Sequence, residues 1–297
     1  MPESHAIPIT VGMPTYNAEK TIRRAIDSVI NQEFSDWQLL LSDDFSSDST
    51  REIINEYALK YPEKILIRHP PIKLYYLNFR HILFSADSKY FVWLAGDDWW
   101  EPGFLARCFD RLRRDPDAVC CLARCRFHTA DGGSHIDPDA RAIFGDRTTR
   151  IANYLLNPDQ TRMYGLFKRD VLTNSFPDRA FHAYDWALCA GTLRFGPHVD
   201  VDEVLMNRDR TPSEKYMELV DHDERNVVLK FFPVWRMTIF SLRKGLVPAH
   251  RKTISALIFL NISKNRQQII RRWPRIARIL SPIYRAVRWA SRRSAHS

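Results

Sequence analysis

The sequence predicts an α/β protein with a mostly parallel β-sheet flanked by helices. Short, β-rich apolar segments alternate with segments whose apolar residues recur at helical spacing, which is the pattern of βαβ units. The chain has 297 residues, of which 45% are hydrophobic, so it can bury a core of normal size. Wholesale disorder is therefore excluded.

The alternation is clearest in the first 115 residues. We expect strands over Ile7–Met13, Trp37–Leu41, Ile65–Arg68 and Tyr90–Ala95, and helices over Ala18–Gln32, Ser49–Tyr61, Tyr75–Ala86 and Pro102–Arg114. Acidic pairs, Asp43-Asp44 and Asp97-Asp98, end or follow the second and fourth strands. Because ligands of such sheets gather beyond the carboxyl ends of the strands, these two loops are candidates for a binding site.

The pattern changes twice further along the chain. From Val119 to about Arg208 it is less regular, with a helix expected over Tyr184–Arg194 and a strand over Val199–Leu205. Beyond Pro212 it becomes helical and basic. We therefore divide the chain into residues 1–115, 116–211 and 212–297.

Neither a secretory signal nor a membrane span is visible in the sequence. The first residues are polar, and no apolar run reaches the roughly 18–20 residues that a span requires. The five cysteines show no metal-ligand spacing, and we expect reduced thiols that lie in or near the core. These observations favour a cytoplasmic protein.

The net charge of +9 is unevenly distributed. The segment from Arg225 to the C-terminus contains 17 Lys and Arg and no Asp or Glu, whereas the preceding 224 residues contain 27 basic and 35 acidic residues. An acidic body is thus followed by a strongly basic tail. Such a tail indicates an anionic partner, either a membrane surface or a nucleic acid.

The loop that contains Asp97 and Asp98 follows an apolar strand directly. Mg²⁺ and Mn²⁺ prefer carboxylate oxygens together with phosphate oxygens and water, so adjacent carboxylates at a strand end suit a metal-bound phosphate ligand. The simpler alternative is a solvated turn that precedes the helix at Pro102. From this loop alone both interpretations stay open.

Three segments together resemble the family 2 glycosyltransferases of the GT-A fold. These are Ile9–Asn17 with the helix end Ser28–Gln32, then Leu40–Asp48, and then Tyr90–Asp98. The family pattern is a strand, Pro-x-Tyr-Asn, a helix ending in Ser-x-x-x-Gln, a strand closed by Asp-Asp-x-Ser-x-Asp, and a later strand that leads to the aspartates. Order and spacing agree over roughly the first 110 residues.

The resemblance implies a nucleotide-sugar donor bound in the first 115 residues. Pro14 and Thr15 would line the pocket for the base, with Glu19 nearby, and Asp44 would accept a hydrogen bond from the base, most simply from the N3–H of uracil. Asn78 looks like an Asn that recurs in the helix before the metal loop. As a purely structural residue it would instead cap a helix or face solvent.

The resemblance also implies that Asp97 faces the ribose and that Asp98 binds Mg²⁺ or Mn²⁺. Ala95 stands where the family usually has a further Asp, so a second carboxylate from this loop is missing. The family often completes the metal shell with the His of an Arg-x-His motif, which this chain lacks. Arg208 or Arg210 would instead offset the charge of the diphosphate.

Residues 116–211 correspond to the acceptor-binding half of the family. An inverting transfer needs a carboxylate base on the acceptor side. The family signal for it is Glu-Asp before a helix. Here Asp185 matches the Asp and Tyr184 replaces the Glu, while Met163–Arg169 resembles the segment that shapes the acceptor pocket. The alternative for Asp185 is a structural helix N-cap.

The basic tail contains an amphipathic segment over residues 268–293. Apolar residues repeat at spacings of four and three, with arginines on the opposite side. Pro274 and Pro282 each suit the first turn of a helix, so we expect two short helices. Three roles are open: an in-plane membrane anchor, packing on the catalytic domain, or nucleic-acid binding. The anchor is favoured, and no nucleic acid is expected because no recognised nucleic-acid fold accompanies the tail.

Taken with the resemblance, the sequence predicts an inverting, metal-assisted transferase with a basic helical C-terminal extension. The donor would be a nucleoside-diphosphate sugar, with UDP favoured, and the acceptor a glycan or lipid-linked glycan at the inner face of the membrane. Two alternatives remain. One is a degenerate nucleotide-sugar-binding protein at the membrane, and the other is a sugar-phosphate nucleotidyltransferase, which the absence of glycine in Pro14–Lys20 disfavours.

Overall fold

The structure, a computed structural model, describes residues 8–159, 161–179, 181–209, 232–272 and 274–296. These residues form two units. The sheet unit comprises residues 8–142, 161–174 and 198–209, and the helical unit comprises residues 143–159, 175–179, 181–197, 232–272 and 274–296. The three regions predicted from the sequence follow chain order, whereas each unit is assembled from segments that are distant in sequence.

The strands of the described residues all belong to one sheet in the sheet unit. They are β1 Ile9–Thr15, β2 Trp37–Asp43, β3 Ile65–Ile67, β4 Tyr90–Trp93, β5 Trp99–Trp100, β6 Cys120–His128, β7 Ser134–Ile136, β8 Leu166–Lys168 and β9 His198–Asp209. The spatial order is β3-β2-β1-β4-β8-β6-β9-β5, with β7 paired to β6. Most paired residues lie in parallel pairs, and β5, β7 and β8 run antiparallel to their neighbours. The predicted α/β class is confirmed.

The described helices divide between the two units. Those of the sheet unit are α1 Ile22–Ile30, α2 Thr50–Lys60, α3 Leu77–Phe84, α4 Phe104–Arg114 and α6 Arg169–Thr173, and those of the helical unit are α5 Arg147–Leu156, α7 Tyr184–Thr192, α8 Trp235–Arg243, α9 Arg251–Arg272 and α10 Pro274–His296. None of the helices in the described ranges combines the length and the apolar character that crossing a bilayer requires.

Strand β1 lies inside the sheet between β2 and β4, and its seven residues are all buried. Gly12 is required there because a Cβ at this position would lie 2.4 Å from the ring of Phe91 on β4. The parallel register places Thr15 beside Asp43 and Gly12 beside Trp93. The loops that follow β1, β2 and β4 therefore meet at one edge of the sheet, as the sequence predicts.

The core of the helical unit is formed largely by α9, which packs along α5 and α10. Its Ala256, Leu257 and Leu260 are buried. The Tyr284 hydroxyl of α10 donates a hydrogen bond to the Asn265 side chain of α9. Much of the chain beyond Pro212 thus forms packed helices. This agrees with the alternative in which the tail packs on the rest of the protein. Only the exposed positions of these helices remain available to contact a membrane.

One expectation about this region is wrong. Pro274 begins a helix as predicted, but Pro282 does not begin a second one, since α10 runs through it to His296. A proline inside a helix removes one hydrogen bond and crowds the preceding turn. Packing of α10 against α9, including the contact of Tyr284, holds the helix together across this position.

The elements expected in the first 115 residues are confirmed to within a few residues, and all five cysteines are buried and in no disulfide. In the less regular region from Val119 to Arg208, the elements β6, β7, β8 and α5 were not predicted. The two-residue strand β5 was not predicted either. Short strands such as β5 and β8 are defined by partners far along the chain. Local sequence patterns therefore carry little signal for them.

Candidate active site

Asp44 organises the edge of the sheet beyond β1 and β2. It is buried, and its carboxylate accepts hydrogen bonds from the backbone amides of Leu74 (2.7 Å) and Tyr75 (2.6 Å). Its own amide donates to the carbonyl of Thr15 at 2.9 Å. Asp44 thus ties the loop before α3 to the end of β1, and its carboxylate is fixed in orientation.

Pro14 and Thr15 lie at the carboxyl end of β1, and both are buried. The Thr15 hydroxyl donates a hydrogen bond of 3.3 Å to the carbonyl of Ser42 on β2. Asn78, at the start of α3, is buried rather than facing solvent. Its side chain accepts from the Ser42 hydroxyl (2.6 Å) and donates to the Ser42 carbonyl (3.0 Å). Asn78 therefore fixes the start of α3 against the end of β2.

The loop after β2 is cross-linked to the loop after β1. The Asn17 side chain accepts a hydrogen bond from the Ser47 amide at 2.9 Å, and Glu19 accepts one from the Ser49 amide at 3.1 Å. In return, the Asp48 carboxylate accepts from the Glu19 amide at 3.2 Å. The predicted site residue Glu19 is exposed, and its observed contact holds these two loops together.

Backbone strain is concentrated at this edge of the sheet. Asn17, Phe45 and Tyr75 have positive φ angles of 48°, 63° and 52°. Such conformations are costly for bulky residues and are found mainly where function requires them. The side chains of Tyr16, Phe45 and Tyr75 are 51%, 45% and 68% exposed. The Lys73 ammonium lies 3.8 Å from the Tyr16 ring centre and 5.2 Å from that of Tyr75.

The Asp97-Asp98 loop is held by α1 and by β9. Arg24 of α1 donates a hydrogen bond to the Asp97 carbonyl and another to the Asp209 carboxylate, both at 2.8 Å. Its guanidinium lies 3.6 Å from the ring centre of Trp99, which pairs with Asn207 on β9. The Asp97 side chain is exposed, whereas Asp98 is buried. The two carboxylates therefore differ sharply in their surroundings.

Asp98 forms a buried ion pair with Arg208 of β9, in which the Arg208 Nε donates to the Asp98 Oδ2 at 2.9 Å. Burial raises the pKa of Asp98 from 3.8 to about 7, against the opposing effect of the Arg208 cation. The guanidinium lies 4.2 Å from the Tyr164 ring centre and 5.6 Å from that of Phe127. Of the two arginines proposed to offset diphosphate charge, Arg208 thus lies at the loop, and Arg210 is outside the described residues.

The carboxylates of the Asp97-Asp98 loop are candidate ligands for a divalent cation. Across the described ranges, no group of three His, Cys, Asp or Glu side chains converges to hold a metal ion. Mg²⁺ in nucleotide sites is typically bound through one or two carboxylates together with substrate phosphates and water. Asp98 and Asp97 fit that kind of shared site, with Arg208 as a competing cation on Asp98. They do not form a site from protein ligands alone.

Asp185 belongs to the helical unit, where it is the second residue of α7. The N-cap of this helix is Ala183, so the cap interpretation of Asp185 is wrong by two residues. A carboxylate in the first turn is stabilised by the helix dipole. Ala183 has a φ of 61°, which is an unusual conformation for alanine. The strained residue thus lies immediately before the Tyr184-Asp185 pair.

Lys264 of α9 was not predicted as part of this region. Its ammonium lies 4.8 Å from the ring centre of Trp186, the neighbour of Asp185, and burial lowers its pKa. Burial also lowers the pKa of His182 to about 4, with a further contribution from the Lys264 charge. Lys264 is separated from this motif by about 80 residues, and no local pattern distinguishes it from the other basic residues of the tail.

Known proteins similar to this chain share its fold. A segment of Staphylococcus aureus TarS (residues 1–349), solved with UDP, superposes with a TM-score of 0.57 at 16% identity, covering 96% of this chain and 91% of that one. The mannosyltransferase PcManGT from Pyrobaculum calidifontis, solved with GDP-Man and Mn²⁺, gives 0.56 at 17% identity, covering 97% and 83%. The predicted GT-A fold is therefore confirmed.

Sequence comparisons assign the chain to a protein family as well as to a fold. The putative glycosyltransferase EpsE of Bacillus subtilis is 35% identical over 91 residues, which are 30% of this chain and 33% of EpsE. Chondroitin synthase of Pasteurella multocida is 28% identical over 226 residues, or 75% of this chain and 23% of the synthase. The chain thus spans a third or less of either relative. The family described as glycosyl transferase family 2 matches residues 10–176, more than half of the chain, and the protein belongs to that family.

Proposed function

We propose that the protein is an inverting glycosyltransferase that uses a nucleoside-diphosphate sugar, with UDP as the expected carrier. The observation that carries the proposal is the Asp97-Asp98 loop at the carboxyl edge of the sheet, beside the strained loops after β1 and β2, in a chain of glycosyl transferase family 2. The presence of UDP and GDP-Man in structures of the same fold supports a nucleotide-sugar donor. The acceptor is expected to be a glycan or a lipid-linked glycan.

The nucleoside is assigned to the loops after β1 and β2. Exposed rings at Tyr16, Phe45 and Tyr75 offer faces on which a base can stack. Pro14 and Thr15 form the end of the strand below them, and Asp44 is the proposed acceptor for the base N–H. The contacts of Asp44 with two backbone amides support this role, because they fix the carboxylate before the donor arrives.

The diphosphate is assigned to the Asp97-Asp98 loop. Asp97, whose side chain is exposed, is proposed to bind the ribose. Asp98 is proposed to hold Mg²⁺ or Mn²⁺ together with the phosphates, and this cation would neutralise the leaving diphosphate. Arg208 brings a second positive charge to the same carboxylate at 2.9 Å, so it is proposed to share the neutralisation of the leaving group.

In the proposed reaction, the acceptor hydroxyl oxygen bonds to the anomeric carbon while the bond from that carbon to the diphosphate oxygen breaks. A single displacement of this kind inverts the anomeric configuration. Asp185 takes the hydroxyl proton, because an uncharged hydroxyl is a poor nucleophile. Its position in the first turn of α7 supports this role, since the helix dipole favours the ionised carboxylate that a base requires.

The protein is also proposed to associate with the inner face of the membrane through α10. Arg275, Arg278 and Arg285 are exposed on this helix, as are Ile279 (75% exposed) and Trp289 (65% exposed). Arginines beside exposed apolar side chains suit an interface that contains anionic headgroups. This surface also supports the choice of a lipid-linked acceptor and of a cytoplasmic location.

The central experiment is a thermal-shift screen of nucleotide sugars with and without Mn²⁺, followed by a donor-turnover assay. We expect a UDP-sugar to raise Tm more in the presence of Mn²⁺ and to be consumed when acceptor is supplied. Binding without any transfer or donor hydrolysis would instead favour the degenerate binding protein, an alternative to which the Asp98–Arg208 ion pair gives some support. Absence of binding by every nucleotide sugar would contradict the proposal.

A further inference from the structure

A groove in the helical unit lies between α8 and the segment around Phe181. It encloses about 470 Å³. Its lining residues are Arg179, Phe181, Trp235, Arg236, Ile239, Phe240, Arg243 and Lys244. No residue of the loops after β1, β2 or β4 takes part, so this groove is separate from the proposed donor site.

The floor of the groove is apolar, with Phe181 buried, Phe240 half-buried and Trp235 exposed. The rings of Phe181 and Phe240 lie 4.9 Å apart, centre to centre. Trp235 at the start of α8 is 49% exposed, and Phe232 just before it is 40% exposed. Contiguous apolar surface of this kind, especially when polar residues surround it, typically marks a binding surface.

The rim of the groove is cationic. Arg179 and Lys244 lie 5.9 and 6.0 Å from the ring centre of Phe240, and both contact the carboxylate of Asp178, at 3.5 and 2.8 Å. Arg236 and Arg243 add two further positive charges, and none of the described residues that line the groove is acidic. The described rim therefore contains four basic side chains, two of which contact Asp178.

We propose that this groove binds an anionic phospholipid of the membrane surface. The phosphate would be held by the cationic rim, because arginine is well matched to phosphate, and the adjoining hydrocarbon would lie against Phe181, Phe240 and Trp235. Tryptophan is enriched at the membrane–water interface, at the level of the phospholipid headgroups. A glycerol phosphate headgroup alone would leave this apolar floor in contact with water, so the adjoining hydrocarbon distinguishes the proposed ligand from a free phosphate.

The inference deepens the proposed membrane association and rests on it. The helical unit would contact the membrane through α8 as well as α10, and each helix presents a tryptophan, Trp235 or Trp289, together with exposed arginines. The groove differs from α10 in having a concave site, so it predicts binding of individual lipid molecules. The amphipathic surface of α10 predicts only adsorption to a bilayer.

The test uses the full chain and vesicles whose anionic phosphatidylglycerol carries brominated acyl chains, which quench nearby tryptophans. We expect the Trp235→Phe variant to lose part of the quenching seen in wild type, and vesicles of phosphatidylcholine alone to give none. The double variant Arg236→Glu/Arg243→Glu should lower the partition coefficient about tenfold or more at low salt. The control Arg113→Glu/Arg114→Glu on α4, with the same change in charge, should alter it by less than about twofold.

A second arm uses soluble short-chain phosphatidylglycerol, with glycerol phosphate as the headgroup alone. The lipid should bind wild type and fail to bind Arg236→Glu/Arg243→Glu, while glycerol phosphate should bind at least about tenfold more weakly than the lipid. Equal binding of the two ligands would overturn the lipid assignment in favour of a phosphate site. Circular dichroism confirms folding, and Trp235→Phe keeps the test decisive if the double variant does not fold.

The outcomes separate this inference from the proposals on which it rests. Quenching that depends on Trp289 and not on Trp235 would overturn the groove and leave the association through α10 intact. Absence of quenching at both tryptophans would overturn the membrane association as well. Donor turnover with a soluble acceptor, measured on the same preparations, decides the transferase activity independently of either result.

Discussion

The two units position their proposed functional residues by different means. In the sheet unit, Asp44, Asn78 and Asp98 are buried and held by hydrogen bonds from neighbouring loops and strands. In the helical unit, Asp185 lies in the first turn of a helix that begins at a strained alanine. The surroundings of that helix include Lys264, which comes from far along the chain.

This difference predicts how substitutions should act. In the sheet unit the side chains of Asp44, Asn78 and Asp98 are also structural contacts, so a substitution there affects binding and stability together. Asp185 lies in the first turn of α7, and asparagine keeps the size of its side chain. Asp185→Asn should therefore change the chemistry with little effect on folding.

The largest effect is expected for Asp185→Asn. Asparagine keeps the size of the side chain but cannot accept the acceptor proton, so kcat should fall by roughly 10²–10⁴-fold. The affinity for UDP should change little, because the residues proposed to bind it belong to the other unit. Turnover and UDP affinity are measured on the same preparation. Turnover within a few-fold of wild type would contradict the role of general base.

A matched control for Asp185→Asn is Asp170→Asn. Asp170 is likewise the second residue of its helix, α6, and is exposed. The control makes the same chemical change at the same helical position in the sheet unit. We expect kcat and UDP affinity within about twofold of wild type, so a loss confined to Asp185→Asn reports chemistry rather than an altered helix start.

The second effect concerns Asp98 and Arg208, whose ion pair couples activity to stability. Asp98→Asn should lower turnover by roughly 10²-fold or more and weaken metal-dependent UDP binding. It should also cost up to a few kcal/mol of stability, because it leaves Arg208 without its carboxylate partner. The double variant Asp98→Asn/Arg208→Gln should recover stability without recovering turnover. Enzyme kinetics and urea unfolding measure the two properties.

Chelation distinguishes the two positive charges proposed at the diphosphate. EDTA should reduce wild-type turnover strongly if the cation on Asp98 is required. Undiminished turnover in EDTA would contradict the metal role and leave Arg208 as the proposed counter-charge. In that case Arg208→Gln should lose turnover with or without Mn²⁺.

A smaller effect is expected at the membrane. Arg275→Glu/Arg278→Glu on α10 should lower partitioning onto phosphatidylglycerol vesicles about thirtyfold or more at low salt and less at high salt, since each of the two arginines contributes roughly 1 kcal/mol and the new glutamates are repelled by the anionic surface. UDP binding should not change. Arg113→Glu/Arg114→Glu serves as the charge-matched control in vesicle sedimentation. Charge reversal is preferable to removal of the chain from residue 268, because α10 packs on α9 and its loss would disturb the helical core.

The smallest effect is a pH dependence in the helical unit. The pKa of His182 is lowered to about 4, compared with about 6.5 in an unfolded chain. Between these values the unfolded chain binds a proton that the folded protein does not. Stability should therefore fall as the pH is lowered from about 6.5 to 4, by on the order of 1–3 kcal/mol. His182→Gln should remove this slope in urea unfolding, whereas His135→Gln, at an exposed strand position, should not.

The donor-side loops could be predicted because their signal is local. A strand, a turn and a helix that follow one another in sequence were enough to place Thr15, Asp44 and Asp98 at one edge of the sheet. The partners of these residues were not predicted. The contact of Asp98 with Arg208 spans 110 residues, and a charged residue on a strand does not indicate which carboxylate it will meet.

The helical unit was harder to predict for the same physical reason. The helical pattern beyond Pro212 indicated the helices of this region, but it did not indicate where they end or which faces pack and which remain exposed. Lys264 looked like one more basic residue of the tail, and its burial beside Trp186 depends on tertiary packing. Pro282 shows the opposite error. A proline usually interrupts a helix, so a new helix was predicted to begin there, but packing against α9 keeps α10 continuous through it.

The pairing of β5 with β9 has a consequence for the order in which the chain folds. Trp99 and Trp100 meet Asn207 and Met206, so the Asp97-Asp98 loop gains this support only after more than 100 further residues have been synthesised. Strands β1 to β4 are complete by Trp93 and can pair early on the ribosome. Closing the later part of the sheet bears the loop-closure cost of distant contacts, so it should be the slow step. A fragment that ends near residue 115 would thus contain both aspartates without the strand that fixes them.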